Sequence, residues 1–207
     1  MREYHKINSV FKRDERGKFI LGDWSTPEFE YLQNNQWVWT EKVDGMNIRV
    51  IWDGELVKFG GKTDNAQIPT PLYERLTQLF PLDKFYGKDA MCLYGEGYGR
   101  KIQKGGGNYN PNGVDFVLFD VRIGEWWLKR YDIVSIGEEF SVSVVPIVGK
   151  GGLVDAIEYT QQPQTSWWGD FLAEGIVLRP EVELQSRAGN RIITKLKYKD
   201  FVGGKDA

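Results

Sequence analysis

Short apolar runs joined by tight turns constrain this chain more than any other feature. Trp37, Val38 and Trp39 open one run, Met46 to Trp52 forms a β-branched second, and Asp53-Gly54 turns it into Glu55 to Phe59. Ala90 to Tyr94 and Val114 to Val121 predict buried strands, and Ile123-Gly124-Glu125 turns the latter into Trp126 to Tyr131. Ile176 to Leu178 and Arg191 to Lys197 predict the last strands. Helical spacing is confined to Pro71 to Phe80, stopped by Pro81, and to the shorter Asp132 to Phe140 and Gly152 to Tyr159. Hairpins outnumber strand–helix–strand alternations. The expected fold class is therefore α+β, with antiparallel sheets and flanking helices. A chain of 207 residues can bury a full core as one domain, here with an N-terminal extension to about residue 35.

Two scarcities narrow the chemistry. Cys92 is the sole cysteine, which excludes an internal disulfide and a Cys-rich metal site and suits a reducing, cytoplasmic compartment. His5 is the sole histidine, which removes Ser-His and His-based metal chemistry. Catalysis must run on Lys, Arg, Asp and Glu, which favours phosphoryl or nucleotidyl transfer over acyl transfer. Met1-Arg2-Glu3-Tyr4 opens no apolar signal segment, and no run has the length of a membrane span, so no membrane partner is expected. The net charge of −2 gives no global attraction to nucleic acid. Local charge is uneven, however: Arg187, Arg191, Lys195, Lys197, Lys199 and Lys205 crowd the end, and Arg100, Lys101 and Lys104 precede Gly105-Gly106-Gly107. Phosphates respond to local charge.

Candidate chemistry begins at Lys42-Val43-Asp44-Gly45. A lysine can attack a nucleotide phosphate, a following glycine lets the backbone approach the ligand, and the acid between can orient a ribose or the lysine. The same residues equally suit a hairpin-edge lysine and a turn. Glu96, in YGEGYG, and Glu174, in AEGIVLRP, each sit beside glycine at the end of an apolar run. Such carboxylates suit a Mg²⁺ ion that keeps several waters and bridges to phosphate, or a glycine-rich surface turn. Lys195 and Lys197, two apart on a strand, point to the same face. They suit a polyphosphate or a solvent-facing edge. Phe116 and Phe119 offer a ring for a nucleobase or for the core.

In combination these blocks resemble the covalent nucleotidyltransferase superfamily of ligases and capping enzymes, and most closely the nick-sealing type 2 branch of ATP-dependent RNA ligases. The blocks are KVDGMN at Lys42, YGEGYG at Glu96, IQK at Ile102, DFVLFD ending at Asp120, AEGIVLRP at Glu174 and RIITKLKYKDF, spanning about Trp37 to Phe201 in the family's order. The resemblance implies an adenylyltransferase domain of the ATP-dependent ligase type. It implies ATP as substrate with AMP carried on Lys42, and Mg²⁺ or Mn²⁺ as metal. The partners would be RNA or RNA/DNA ends bearing a 5′-phosphate and a 3′-hydroxyl.

By the same resemblance Lys42 is the nucleophile, and Asp44, Gly45 and Asn47 serve the ribose and phosphate neighbourhood. Glu41 precedes the lysine where the family's backbone meets adenine. Lys62 falls where an arginine usually contacts the nucleotide. Glu96 and Glu174 match ribose- and metal-environment carboxylates, Phe119 the ring on adenine, and Lys195 and Lys197 the phosphate-binding pair. Three features depart from the branch. Asp44 stands where histidine is common, Lys62 lacks an arginine's bidentate fork, and ten residues follow Lys197, so no separate C-terminal domain is expected. An accessory protein would then be one way to grip substrate. A small DNA ligase, a capping guanylyltransferase and a non-catalytic nucleic-acid-binding module remain alternatives.

Overall fold

The structure, a computed structural model, describes residues 3–202. Lys205 of the C-terminal basic cluster lies outside the described residues. In chain order the strands are β1 (Asn8–Ser9), β2 (Phe11–Arg13), β3 (Phe19–Trp24), β4 (Trp37–Glu41), β5 (Met46–Trp52), β6 (Val57–Gly60), β7 (Met91–Gly99), β8 (Val114–Ile123), β9 (Trp126–Trp127), β10 (Ser143–Val144), β11 (Ile147–Gly151), β12 (Gly175–Pro180) and β13 (Thr194–Lys197). The helices are α1 (Pro27–Tyr31), α2 (Thr70–Leu79), α3 (Gly106–Tyr109), α4 (Arg130–Phe140), α5 (Leu153–Gln161) and α6 (Lys199–Val202). This is the expected α+β class. The described residues divide into two compact units, 3–5 with 43–145 and 6–42 with 146–202.

The first unit is built on a sheet of order β10-β8-β7-β5-β6, with β9 paired to β8. Its long pairings are antiparallel; the short β10 joins β8 in parallel. Asp53 makes the β5–β6 hairpin tight, because its Oδ1 accepts the N–H groups of Glu55 and Leu56. One sheet face carries Ile48, Val50, Leu93, Phe116, Leu118 and Val121, which form a single buried cluster with Leu72, Leu76 and Leu79 of α2. Those three leucines recur at helical spacing, with Pro71 in the first turn and Pro81 just past the end.

The glycine-rich YGEGYG segment is regular strand, so the surface-turn alternative for Glu96 is overturned. The glycines are there for space. A Cβ on Gly95 would lie 2.1 Å from Phe116 Cζ and 2.4 Å from the Val117 carbonyl oxygen. A Cβ on Gly97 would meet Leu72 of α2 at 2.5 Å. The β7–β8 register slips between Tyr94 and Gly95, so Phe119 falls between paired positions. A bulge of this kind re-aims side chains.

The second unit has a sheet of order β1-β13-β12-β4-β11, antiparallel except for β1 against β13. Trp37, Trp39, Ile176, Leu178 and Leu196 bury one face with Leu153, Ala156 and Ile157 of α5. Residues 6–35 are woven into this unit. β1 extends the sheet, and the β2–β3 hairpin adds Val10 and Phe11 to its core. Arg13 ties the hairpin to α6 through Asp200 at 2.9 Å and lies over the Phe19 ring. The short α1, β1 and β2 escaped the sequence reading because elements of two to five residues carry no readable period.

Gly95→Ala should destabilise the protein by about 1–3 kcal/mol through overpacking against Phe116 and β8. Gly107→Ala, with open space around its Cβ, should stay within about 0.5 kcal/mol of wild type. Urea unfolding of both variants checks the contrast; equal midpoints would contradict the packing role of Gly95.

Candidate nucleotide-transfer site

Strand register in the second unit assembles a charged triad. β12 lies between β4 and β13, with Ile176 opposite Glu41 and Gly175 opposite Lys197. The Lys42 N–H donates to the Gly175 carbonyl at 2.9 Å. Glu174, one residue before, is thereby set between the end of β4 and the end of β13. Its Oε2 accepts Lys42 Nζ at 2.5 Å and its Oε1 accepts Lys197 Nζ. Gly175 is required at this junction. Its φ is +156°, and a Cβ would fall 2.1 Å from the Leu196 carbonyl oxygen.

The three charged side chains are mostly shielded, with side-chain exposures of 22%, 15% and 22% for Lys42, Glu174 and Lys197. Burial pushes the Glu174 carboxyl up, but the Lys42 and Lys197 ammonium groups outweigh it and hold the group below the ordinary carboxylate value. Two ammonium groups on one carboxylate leave an excess positive charge, which suits a phosphate. Lys195 is opposite Val177 and shares its strand face with Lys197, as strand alternation predicts.

Glu41 behaves differently. It pairs with Ile176 and so shares the face that packs on α5. Its buried carboxylate accepts the Ser166 hydroxyl at 2.6 Å and the Trp167 N–H at 2.8 Å. Burial pushes this carboxyl up, and the two hydrogen bonds only partly oppose the shift. Glu41 also borders a small cleft with Tyr159, Gln164 and Ile176, which Lys42 does not line. Its side chain therefore anchors the segment ahead of Glu174. That segment carries Trp167, 74% exposed. The paired tryptophans were the sequence signal; their acidic anchor was not readable.

In the first unit, the directly paired Asn47, Glu96 and Val117 lie on the sheet face opposite the α2 cluster. Phe119, two residues beyond Val117, is half-buried, with Tyr4 against its ring at 5.1 Å. Phe116 belongs to the core. The buried Asn47 Oδ1 has no hydrogen-bond partner among the described residues. Gly45 allows the chain to pass close to β7, since a Cβ there would lie 2.4 Å from the Gly97 carbonyl oxygen. Asp44 accepts the Gly105 N–H at 2.9 Å.

Lys62 is exposed on the loop after β6. Arg49, absent from the sequence-based candidates, holds that loop: buried at 1%, it donates to the Gly61 carbonyl at 2.8 Å and to Asp64 at 2.7 Å. An arginine inside an apolar strand was its only signal. The C-terminal basic cluster divides, because Arg191 is buried against Glu183 while Arg187 and Lys199 are exposed.

Among the described residues no three His, Cys, Asp or Glu side chains form a metal cluster. Isolated carboxylates fit a hard divalent cation that keeps its waters and binds with phosphate, rather than a protein cage.

The RNA ligase family model matches residues 35–198. The chain belongs to the RNA ligase family. No curated protein matches it. Among solved structures, a mutant of Naegleria gruberi RNA ligase with ATP and Mn superposes with a TM-score of 0.68 at 18% identity, covering 95% of this chain and 61% of that one. Another mutant, with AMP and Mn, gives 0.67 at 17%, covering 94% and 62%. The same ligase with PPi gives 0.67 at 18%, covering 96% and 62%. This RNA ligase family member thus has the fold of RNA ligase nucleotidyltransferase domains and spans about three fifths of the length of those chains. Among its described residues, no helix is long and apolar enough to cross a membrane.

The two carboxylates should have opposite pH linkage around their common ordinary value of 4.5. Glu174, held below it, contributes stability that is present above about pH 4.5 and is lost as pH falls through the depressed value. Glu41, held above it, contributes stability that is present below about pH 4.5 and is lost as pH rises through the raised value. Denaturation across this range should show wild type losing ground to Glu174→Gln as pH falls, and gaining ground on Glu41→Gln. Parallel profiles for all three proteins would contradict these environments.

Proposed function

We propose that this chain is an ATP-dependent RNA ligase that joins a 5′-phosphate to a 3′-hydroxyl through a lysyl-AMP intermediate on Lys42. The observation that carries this reading is the shared grip of Glu174 on Lys42 and Lys197. It holds a nucleophilic amine and a phosphate-binding cation together from three adjacent strands. Family membership and the similar RNA ligase structures with ATP and Mn, AMP and Mn, and PPi support it.

In the first step the Lys42 ammonium leaves Glu174 and releases a proton to solvent. The lone pair of the resulting amine forms an N–P bond to the α-phosphorus, and a second N–H proton is lost to solvent as the phosphoramidate forms. The bond to the bridging α–β oxygen breaks, and pyrophosphate departs with that electron pair. Lys197 remains as a counter-charge to Glu174, so moving Lys42 does not strand a buried carboxylate. A 5′-phosphate oxygen of the RNA then attacks the AMP phosphorus; the N–P bond breaks, its electron pair stays on the Lys42 nitrogen, and two protons from solvent restore the ammonium. Finally the 3′-hydroxyl loses its proton and attacks the 5′-phosphorus, expelling AMP. Each displacement needs positioning and charge neutralisation more than new covalent machinery from the protein.

Lys195 and Lys197 are assigned to the phosphates. Asp44, Gly45, Asn47 and Lys62 are assigned to the nucleotide, and Phe119 to the base. The main chain at Glu41 is assigned to adenine, its side chain being engaged by Ser166 and Trp167. Glu96 and Glu174 are the carboxylates available to a divalent metal, which would neutralise phosphate charge when bound with ATP.

Lys42→Ala should abolish labelling by α-phosphate-labelled ATP, and Lys197→Ala should lower labelling by about a hundredfold or more. Persistent labelling of Lys42→Ala would refute the nucleophile. A loss below about twofold for Lys197→Ala would reduce it to a surface cation. Sealing of 5′-phosphorylated nicks with an RNA or a DNA 3′-hydroxyl strand then reads the end preference.

A further inference from the structure

Between β7 and β8 the chain makes a compact loop, residues 99–113, that carries cations with no acid. Arg100, Lys101 and Lys104 are all exposed, and no Asp or Glu occurs between Glu96 and Asp115. Among the described residues none of the three side chains makes a hydrogen bond or an ion pair. Several other cations of the same unit are paired, among them Arg75 with Asp115 at 3.1 Å and Lys58 with Asp53 at 2.6 Å. Leaving three like charges side by side is unfavourable unless an anion comes between them.

The loop is held rigidly in this arrangement. The Arg100 N–H donates to the Gly113 carbonyl at 2.8 Å, closing the loop at its base. Ile102 is buried in the core cluster below it. The Gly105 N–H is bound by Asp44, two residues after Lys42 in the sequence. A Cβ on Gly105 would fall 2.5 Å from that carboxylate, and one on Gly99 would fall 2.2 Å from the Gly113 carbonyl oxygen. Lys101 and Gln103 hold φ of 66° and 55°, left-handed values that cost a non-glycine residue about 1–2 kcal/mol each. Buried anchors and hydrogen bonds sustain that strain. Alternating Lys101 and Gln103 in this conformation with the buried Ile102 keeps the cations outward.

We propose that Arg100, Lys101 and Lys104 form a phosphate rail for the backbone of the RNA substrate, separate from the residues assigned to ATP. This rests on the ligase reading above for the identity of the polyanion. Cations spaced along a fixed loop suit successive phosphodiesters, and such contacts give affinity and register without base preference.

The test uses the full chain and a 5′-phosphorylated RNA, as a single strand and as a nicked duplex, with binding followed by anisotropy over a range of salt. Arg100→Gln/Lys101→Asn/Lys104→Gln keeps polar side chains, and asparagine tolerates the left-handed position. Its RNA affinity should fall about ten- to a hundredfold, with the log–log salt slope shallower by about two to three. Lys104→Gln alone should lower the slope by about one, which keeps the test intact if the triple variant folds poorly. Labelling by ATP should stay within about twofold of wild type. Unchanged affinity and slope on both RNAs would overturn the rail. So would lost ATP labelling with intact RNA binding, which would assign the loop to the nucleotide. A wild type that binds RNA but takes no label would sink the ligase reading instead, while the slope comparison still judges the loop.

Discussion

One carboxylate holding two ammonium groups is the constraint on which the second unit's chemistry depends. Lys42 and Lys197 come from different strands, and mutual repulsion would part them without Glu174 between. The geometry arises from backbone register: β12 lies between β4 and β13, and Gly175 presses against the Leu196 carbonyl as no other residue could. The arrangement also has a chemical consequence. In the proposed mechanism, Glu174 retains a partner when the Lys42 amine turns to phosphorus, so the ion pair can open without leaving an isolated charge in a shielded place.

Glu41 and Glu174 show how environment divides identical side chains. Both are carboxylates at the ends of neighbouring interior strands of the same sheet. One faces ammonium groups and stays ionised to unusually low pH; the other faces the α5 core with a hydroxyl and an N–H for company and is pushed the other way. The first is available for charge chemistry. The second is a clamp that fixes Ser166 and Trp167. In the first unit, glycines have a comparable dividing role. Gly95 and Gly97 yield one sheet face to Phe116 and Leu72, leaving the other to Asn47 and Glu96.

Much of this was legible in the sequence, for physical reasons that differ by element. α2 announces itself through leucines at helical spacing between prolines, and the β5–β6 hairpin through Asp53-Gly54. The lysine pair was readable because strand periodicity puts Lys195 and Lys197 on one face. What escaped depends on tertiary contact. Glycine-rich YGEGYG suits a turn locally, and only Phe116 and Leu72 explain why it is a strand. Nothing in the neighbourhood of Arg49 says that it will hold the Lys62 loop, and nothing near Glu41 points to a hydroxyl 125 residues away. Strands of two or three residues, such as β1 and β10, are fixed by their partners alone.

The proposed mechanism turns on whether Lys42 becomes a phosphoramidate. The direct measurement is peptide mapping by mass spectrometry after brief incubation with ATP and magnesium. A single AMP adduct on the peptide containing Lys42, released by pyrophosphate, is the predicted result. An adduct on Lys195 or Lys197, or nucleotide bound with no adduct at all, would contradict it.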